Sequence, residues 1–379
     1  MGIRLLESTR RQAASVLKLL GQTAITRISR LGSHQAVSTL ASIVISVLLA
    51  MLIGSVVMAV AGNRPLEVYG LLLEGAFVGV NSIMNSLQRA TPLVFVSLAA
   101  VIAFRSDMFN LGIEGQFVLG ALITAYVGFS IQGLPWFLHI PLALSAGALT
   151  GGLWALLPGL MKVFLNVNEV VSTIMFNYVA AFAASYMVNY PWRETPEAPF
   201  TPPVSASATI PQLVVRSQLN YGFFIAVGTA LFFAFLLNRT TLGYELRQTG
   251  LATRFAQYGG ISVKRVSVLS MVLSGAVAGL GGGVEILGVY RRYIEQFSVN
   301  LGFDGILVAL LGKLSPVGAF FASVFYGGLK SGAQSLEWTS EVPRELIGTI
   351  VSIIIFFLAA EGLFRIVRSY WHARPQEAE

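Results

Sequence analysis

No cysteine occurs among the 379 residues, so a disulfide, a zinc–thiolate site and a thiol nucleophile are all excluded. Charge is scarce too. Asp, Glu, Lys and Arg make up 11% of the chain, against about a quarter in an ordinary soluble domain. Histidine is limited to His34, His139 and His372, which show no metal-ligand spacing. No G-x-x-x-x-G-K-[ST] stretch exists: Gly312-Lys313-Leu314 fails at the hydroxyl position, and no other Gly-Lys pair occurs. The chain is therefore not expected to hydrolyse ATP itself. No G-x-S-x-G, acid dyad or metal cluster supports an intramembrane enzyme, and no catalytic residue, metal or cofactor is expected. No short apolar stretch with a small-residue cleavage site precedes the first apolar run near Ala36, so no cleavable signal is expected. Arg10-Arg11 reads as part of a basic surface tail rather than a twin-arginine signal.

What is present is apolar surface. A mean hydropathy of +0.72 exceeds what a water-soluble core can hide. The apolar runs are mostly continuous over about 20 residues, without the ten-residue alternation of outer-membrane strands. The fold class expected is an all-α polytopic membrane protein of the inner (cytoplasmic) membrane, with about ten transmembrane helices. The net charge of +7 sits in the N-terminal tail, the central loop and the C-terminal tail, as the positive-inside rule requires. No aromatic-interleaved basic patch suggests nucleic acid.

In chain order, residues 1–35 carry Arg4, Arg10, Arg11, Lys18, Arg27 and Arg30 among leucines and valines, the pattern of an interfacial amphipathic helix. The transmembrane domain is expected over residues 36–367, with a tail at 368–379. Its spans are placed at Thr39–Val60, Pro92–Phe104, Gly112–Phe129, Pro141–Leu160, Val170–Tyr190, Tyr221–Leu237, Val266–Gly288, Gly302–Gly312, Pro316–Ala333 and Leu346–Leu363. Asn63–Arg89 is expected to be a mixed external segment. A Pro-rich external loop covers residues 191–218, and a basic cytoplasmic loop covers 239–265. Both termini then lie in the cytoplasm, and every strongly basic loop falls on that side.

Leu111-Gly112-Ile113-Glu114-Gly115 recurs as Leu301-Gly302-Phe303-Asp304-Gly305, and Gly151-Gly152-Leu153 as Gly327-Gly328-Leu329. In this topology the first pair opens spans at opposite faces. That is what an inverted repeat produces, with spans two to five mirrored by spans seven to ten and the pathway between the halves. Gly275, Gly279 and Gly283, spaced four apart, permit a close helix crossing.

The central loop carries Gly243, Leu246, Arg247 and Gly250, then Arg254-Phe255-Ala256-Gln257-Tyr258-Gly259-Gly260. This order resembles the coupling loop of ABC-transporter permeases, in the branch that imports simple sugars, branched-chain amino acids and nucleosides. Ala256 and Gly260 match the second Ala and the Gly of the related Glu-Ala-Ala-x-x-x-Gly motif, while Arg254 and Phe255 depart from it. Phe109–Gln116 (FNLGIEGQ) is similar to the Phe-Asn-Ile-Gly-x-Glu-Gly-Gln signature of the nucleoside and simple-sugar subgroup, as are Asn168–Tyr178 and Gly302–Gly312. The resemblance runs over roughly residues 90–335. It implies a permease subunit that works with two ATP-binding subunits, a second permease (identical or related) and an external solute-binding protein. It also implies a neutral polar solute such as a nucleoside or simple sugar, moved by alternating access.

Acids inside apolar runs are costly, at least about 3 kcal/mol at the bilayer centre, so each needs a helix end, a wet cavity or a partner. Glu114 and Asp304 are candidates for broken-helix ends beside the pathway. Asn168-Glu169 reads as a helix cap or a ligand, and Asn110, Gln116 and Asn177 as solute contacts or interhelical glue. Phe109 completes the pathway candidates. The alternative function is an ion-gradient-driven secondary transporter, which Glu114 and Asp304 would serve by cycling a proton.

Overall fold

The computed structural model describes residues 48–359 except 197, 215–216 and 341. The expected amphipathic helix at 1–35, the start of the first span, the end of the tenth and the tail at 368–379 lie outside the described residues. Residues 62–351 form one compact unit; the described residues 48–61 and 352–359 belong to another. The described chain is helical, and its only β-pairings are isolated bridges such as Phe200–Ile294.

The helices are α1 (Leu48–Val60), α2 (Pro65–Phe77), α3 (Val80–Phe104), α4 (Ile113–Ser130), α5 (Trp136–Leu165), α6 (Glu169–Asn189), α7 (Gly222–Arg239), α8 (Thr241–Leu251), α9 (Thr253–Tyr258), α10 (Val263–Glu285), α11 (Leu301–Leu311), α12 (Pro316–Thr339) and α13 (Arg344–Ala359). A π-helical turn, Ile286–Tyr290, continues α10. Six of the described helices are long and apolar enough to cross a membrane: α3, α4, α5, α6, α7 and α10 with its π turn. The expected eighth span, α11, has only 11 residues. The expected ninth, α12, has 24 residues but carries Lys330 and Glu337.

Two expectations are corrected. The segment Asn63–Arg89 is largely helical, and its last ten residues, 80–89, belong to a helix long and apolar enough to span. It is α2, whose Val68, Tyr69 and Leu72 are buried, and the first half of α3. The second span therefore begins at Val80, after Gly79 at φ 91, and Pro92 lies inside it. Pro92 removes only the amide that would reach Gln88, and both residues line a polar cavity where that carbonyl is not stranded in lipid. Second, α4 and α11 do not open at opposite faces. Their N-termini meet, because the Gly302 amide donates to the Glu114 carboxylate. The reason is that residues 105–112 turn back along α3 before α4 starts. Asn110 donates to Ser274 Oγ at 2.9 Å, and Ser274 donates to the Ala99 carbonyl at 2.7 Å. That carbonyl lies more than a turn inside the end of α3.

Backbone contact holds the core. Gly147 and Gly151 of α5 cross Gly275 and Gly279 of α10, and Gly120 of α4 abuts Gly279 as well. A Cβ at any of these positions would overlap a neighbour's main chain or, at Gly147, the Thr124 hydroxyl. The four-residue spacing thus sets a three-helix crossing. Across the unit, Gly327 of α12 sits on α3 between Ser86 and Ala90, and Gly332 sits on Leu72 of α2.

The Pro-rich segment after α6 is not a free loop. It lies over helix ends, with Ser205 N donating to Gly128 O (2.8 Å), Val204 N to Arg291 O (2.8 Å) and Ile210 N to Leu287 O (2.9 Å). His139, fully buried, is bonded by Ser207 Oγ at 2.9 Å and Val127 O at 3.2 Å, so it has a structural place.

Candidate functional site

The basic stretch 239–265 folds into two short helices. Thr240 caps α8 by accepting from Gly243 N at 3.2 Å. Gly243 lies flat on the backbone of Leu236–Leu237, Leu246 is fully buried, and Arg247 Nε donates to Gly243 O at 3.3 Å. Gly250 packs against the Arg105 carbonyl at the end of α3. On α9 only Ala256 turns inward; Arg254, Phe255, Gln257 and Tyr258 are exposed, with Tyr258 at 92% and Phe255 at 64%. Gly259 closes α9, and Gly260 at φ +81 sends the chain back toward α10. The result is a small platform, buried on one side and showing Leu251, Phe255 and Tyr258 on the other.

At the other centre, the α4 and α11 starts are tied to their neighbours. Asn110 and Gln116 exchange two amide hydrogen bonds (2.9 and 3.0 Å), both fully buried. Asn177 of α6 accepts from Gly115 N (2.8 Å) and donates to Leu111 O (2.8 Å), taking the place of helix bonds that α4 lacks at its first turn. Thr173 Oγ1 accepts from Leu111 N. Asn110, Gln116 and Asn177 are thus hydrogen-bonded to protein. Asn168 caps α6 through Val170 N and Val171 N, and Glu169 pairs with Lys162 at 2.6 Å. Phe109 is half exposed, its ring 5.2 Å from that of Phe104. Glu114 caps α11 and takes a further 3.4 Å bond from Ser298. Asp304 does not cap a helix; it pairs with Lys330 and accepts from Tyr326 Oη at 2.5 Å.

Two cavities flank this junction and share Ser298 and Val299 as a wall. One, of about 470 Å³, is floored by Glu114, Asn177, Ser185 and Glu295 and rimmed by Tyr178 and Phe182 of α6. The other, of about 460 Å³, lies among α3, α10 and α12 and is lined by Gln88, Arg89, Glu285, Tyr290 and Lys330. Both fall within the range of small-molecule sites. Gln88 Nε2 donates to Glu285 at 3.3 Å, and Arg89 donates to Gln334. Arg89 and Lys330 were not expected here. Lys330 was legible as a lone cation in an expected apolar span, a signal as telling as an acid. Arg89 was hidden by the misplaced start of α3.

A helical membrane protein in which a half-length helix, α11, meets the start of a full-length one, α4, between polar cavities, with an exposed helical platform besides, has the build of a solute permease. Residues 82–360 match the family described as branched-chain amino acid transport system / permease component, and the chain belongs to that family. It is similar to the guanosine ABC transporter permease protein NupP of Bacillus subtilis (strain 168), 36% identical over 85% of this chain and 94% of that protein. It is also similar to the nucleoside ABC transporter permease protein NupB of Lactococcus lactis subsp. cremoris (32%; 85% and 91%) and to a glucose ABC transporter permease protein of Haloferax volcanii (30%; 85% and 87%). No solved structure matches the chain. The protein is a multi-pass permease subunit of an ABC importer in the cytoplasmic membrane, in a family that works with ATPase and solute-binding partners.

Proposed function

We propose that this subunit moves a nucleoside or simple sugar by alternating access, driven through α8–α9 by a separate pair of ATPase subunits. The observation that carries this reading is the α9 platform. A six-residue helix with one buried side chain has no packing reason to display Phe255 and Tyr258 in water. A groove on a partner accounts for them, with Gly243, Leu246, Arg247, Gly250 and Ala256 fixing the platform to the bundle. Arg254 would meet acidic groups on that partner.

The ten-span topology with cytoplasmic termini and spans two to five mirrored by seven to ten is part of the same reading. The packing supports it. Gly151 lies between Gly275 and Gly279 on α10, and Gly327 lies between Ser86 and Ala90 on α3, so the two echoed Gly-Gly pairs cross equivalent helices. The α4 and α11 starts, the other echo, face each other across the seam.

The pathway is assigned to the cavity beside Glu114. Its floor holds Asn177, Ser185 and Glu295, while Tyr178 and Phe182 stand exposed at its rim. Polar groups of this kind cannot face hydrocarbon. A second permease, the same chain or a relative, would cover them and complete the chamber. The Asn177 amide suits hydroxyls and base edges, and the Glu114 and Glu295 carboxylates accept from hydroxyl or amino donors. A secondary transporter remains the alternative, but it leaves the platform without a role.

The test is co-purification in mild detergent. An ATPase subunit is expected to accompany the intact chain and to be lost when residues 250–260 are replaced by a flexible linker. Retention of the ATPase by the linker variant would contradict the assignment of α8–α9.

A further inference from the structure

The platform is wired to the junction of α4 and α11 by an unbroken series of contacts. Gly250 of α8 rests on the carbonyl of Arg105, where any Cβ would overlap the oxygen. Arg105 is the C-cap of α3, and its Nε donates to the Leu314 carbonyl at 2.7 Å. Leu314 ends the turn that closes α11. Lys313 (φ 54) and Leu314 (φ 51) are consecutive left-handed residues, and neither is glycine. A bulky residue holds that conformation only where its surroundings impose it. From there α11 runs as a rigid rod of 11 residues to Gly302, whose amide meets Glu114 at the wall between the two cavities. Gly305 lets the rod lie directly on Val96 of α3.

Two further features show strain at the joint. Thr249 Oγ1 is buried with no hydrogen-bond partner among the described residues, beside the Gly250 contact. A buried hydroxyl left unpaired weakens the packing around it. Burial, and then the like charge of Arg247, hold the Arg105 guanidinium below its ordinary pKa. The two cations thus repel across the joint, and movement of α8 alters that repulsion.

We propose that Arg105 is a positioning residue that passes displacement of the α8–α9 platform to α11, and through α11 to the Gly302–Glu114 contact beside the solute chamber. This rests on reading α8–α9 as the ATPase dock. It adds a specific mechanical link: the guanidinium ties the platform's seat to the closing turn of the half-length helix. The force enters at Gly250 and leaves at the α4 start, with no solute contact by Arg105 itself.

The experiment uses the whole transporter, permease with its ATPase and external binding protein, in sealed vesicles. It reads ATP hydrolysed and solute accumulated together. Arg105→Gln is expected to keep ATPase attachment and hydrolysis within about twofold while solute moved per ATP falls by on the order of tenfold. Arg105→Lys, which keeps a donor, should recover most of the ratio. Gly250→Ala, which displaces the Arg105 carbonyl and leaves the side chain in place, is expected to lower the same ratio and serves if Arg105→Gln does not assemble. Hydrolysis and uptake falling in parallel, or a ratio unchanged in both Arg105→Gln and Gly250→Ala, overturns the proposal. If no ATPase binds the wild-type chain, the reading of the platform fails, and the link falls with it. If the ATPase binds and the variants transport at the wild-type ratio, only the link fails.

Discussion

Gly279→Leu is expected to leave essentially no folded protein in the membrane. A Cβ at this position would overlap the Gly147 carbonyl oxygen and lie 3.1 Å from both the Gly147 carbonyl carbon and the Gly151 Cα. All of these atoms are main chain, so no rotamer change can make room. Gly120 of α4 packs on Gly279 from a third helix, and its own Cβ would overlap the Gly279 main chain. A leucine must therefore separate α5 and α4 from α10 together. Overpacking a core with one or two methylenes costs about 1–3 kcal/mol. Forcing three backbones apart should exceed about 5 kcal/mol, the far tail of single substitutions. The control is Gly228→Leu on α7, where nothing lies within 4 Å of an added Cβ. That variant should be neutral or slightly stabilising, since leucine is the better helix former by a large part of about 1 kcal/mol. Monodisperse yield in size-exclusion chromatography, with Tm for the soluble fraction, separates the two. Comparable yields would mean that the α4–α5–α10 crossing is wrong.

Asp304→Ala is expected to loosen the α11–α12 joint. Asp304 holds the Lys330 ammonium and the Tyr326 hydroxyl together, joining α11 to α12. Removing the carboxylate leaves the ammonium facing the cavity of Arg89 and Glu285 with only the Tyr326 ring, 5.4 Å away, beside it in this cluster. Breaking a fully buried pair costs about 3–5 kcal/mol. Lys330 is about one-third exposed here, with a side-chain value of 36%, so water in the cavity screens part of that. A loss of about 2–3 kcal/mol, with transport falling alongside, is the expected result. The double variant Asp304→Asn with Lys330→Met removes both charges and should recover at least half of the lost stability. Were the double variant no more stable than Asp304→Ala, the ion pair would not be the source of the effect.

The helical class and most helix positions were legible because apolar runs of about 20 residues leave few alternatives. The glycine spacing of α10 announced a close crossing, and the structure supplies its partners, Gly147 and Gly151. Asn168 was readable as a cap from its place before an apolar run. Two errors came from local signals overruled by packing. Pro92 looked like a helix start, yet it sits mid-helix beside a cavity that tolerates the lost hydrogen bond. Glu114 and Asp304 looked equivalent within the echoed motif. Only tertiary contacts separate them: one carboxylate caps the facing helix, and the other neutralises a lysine 26 residues further on. Arg105 carried no sequence signal beyond a basic residue at a span end. Its bond to Leu314 links segments 209 residues apart, which no periodicity reveals.

The central claim is that this chain forms the gate and a different polypeptide provides the energy. The direct measurement is accumulation of a labelled nucleoside or simple sugar, chosen because the external binding protein captures it, in sealed vesicles containing the purified permease, with the ATPase and that binding protein added in turn. The account predicts no accumulation above equilibrium with the permease alone, whatever proton or sodium gradient is imposed. Accumulation should appear only when ATPase, ATP and loaded binding protein are all present. Uphill uptake by the permease alone, without nucleotide and abolished by an ionophore, would contradict it.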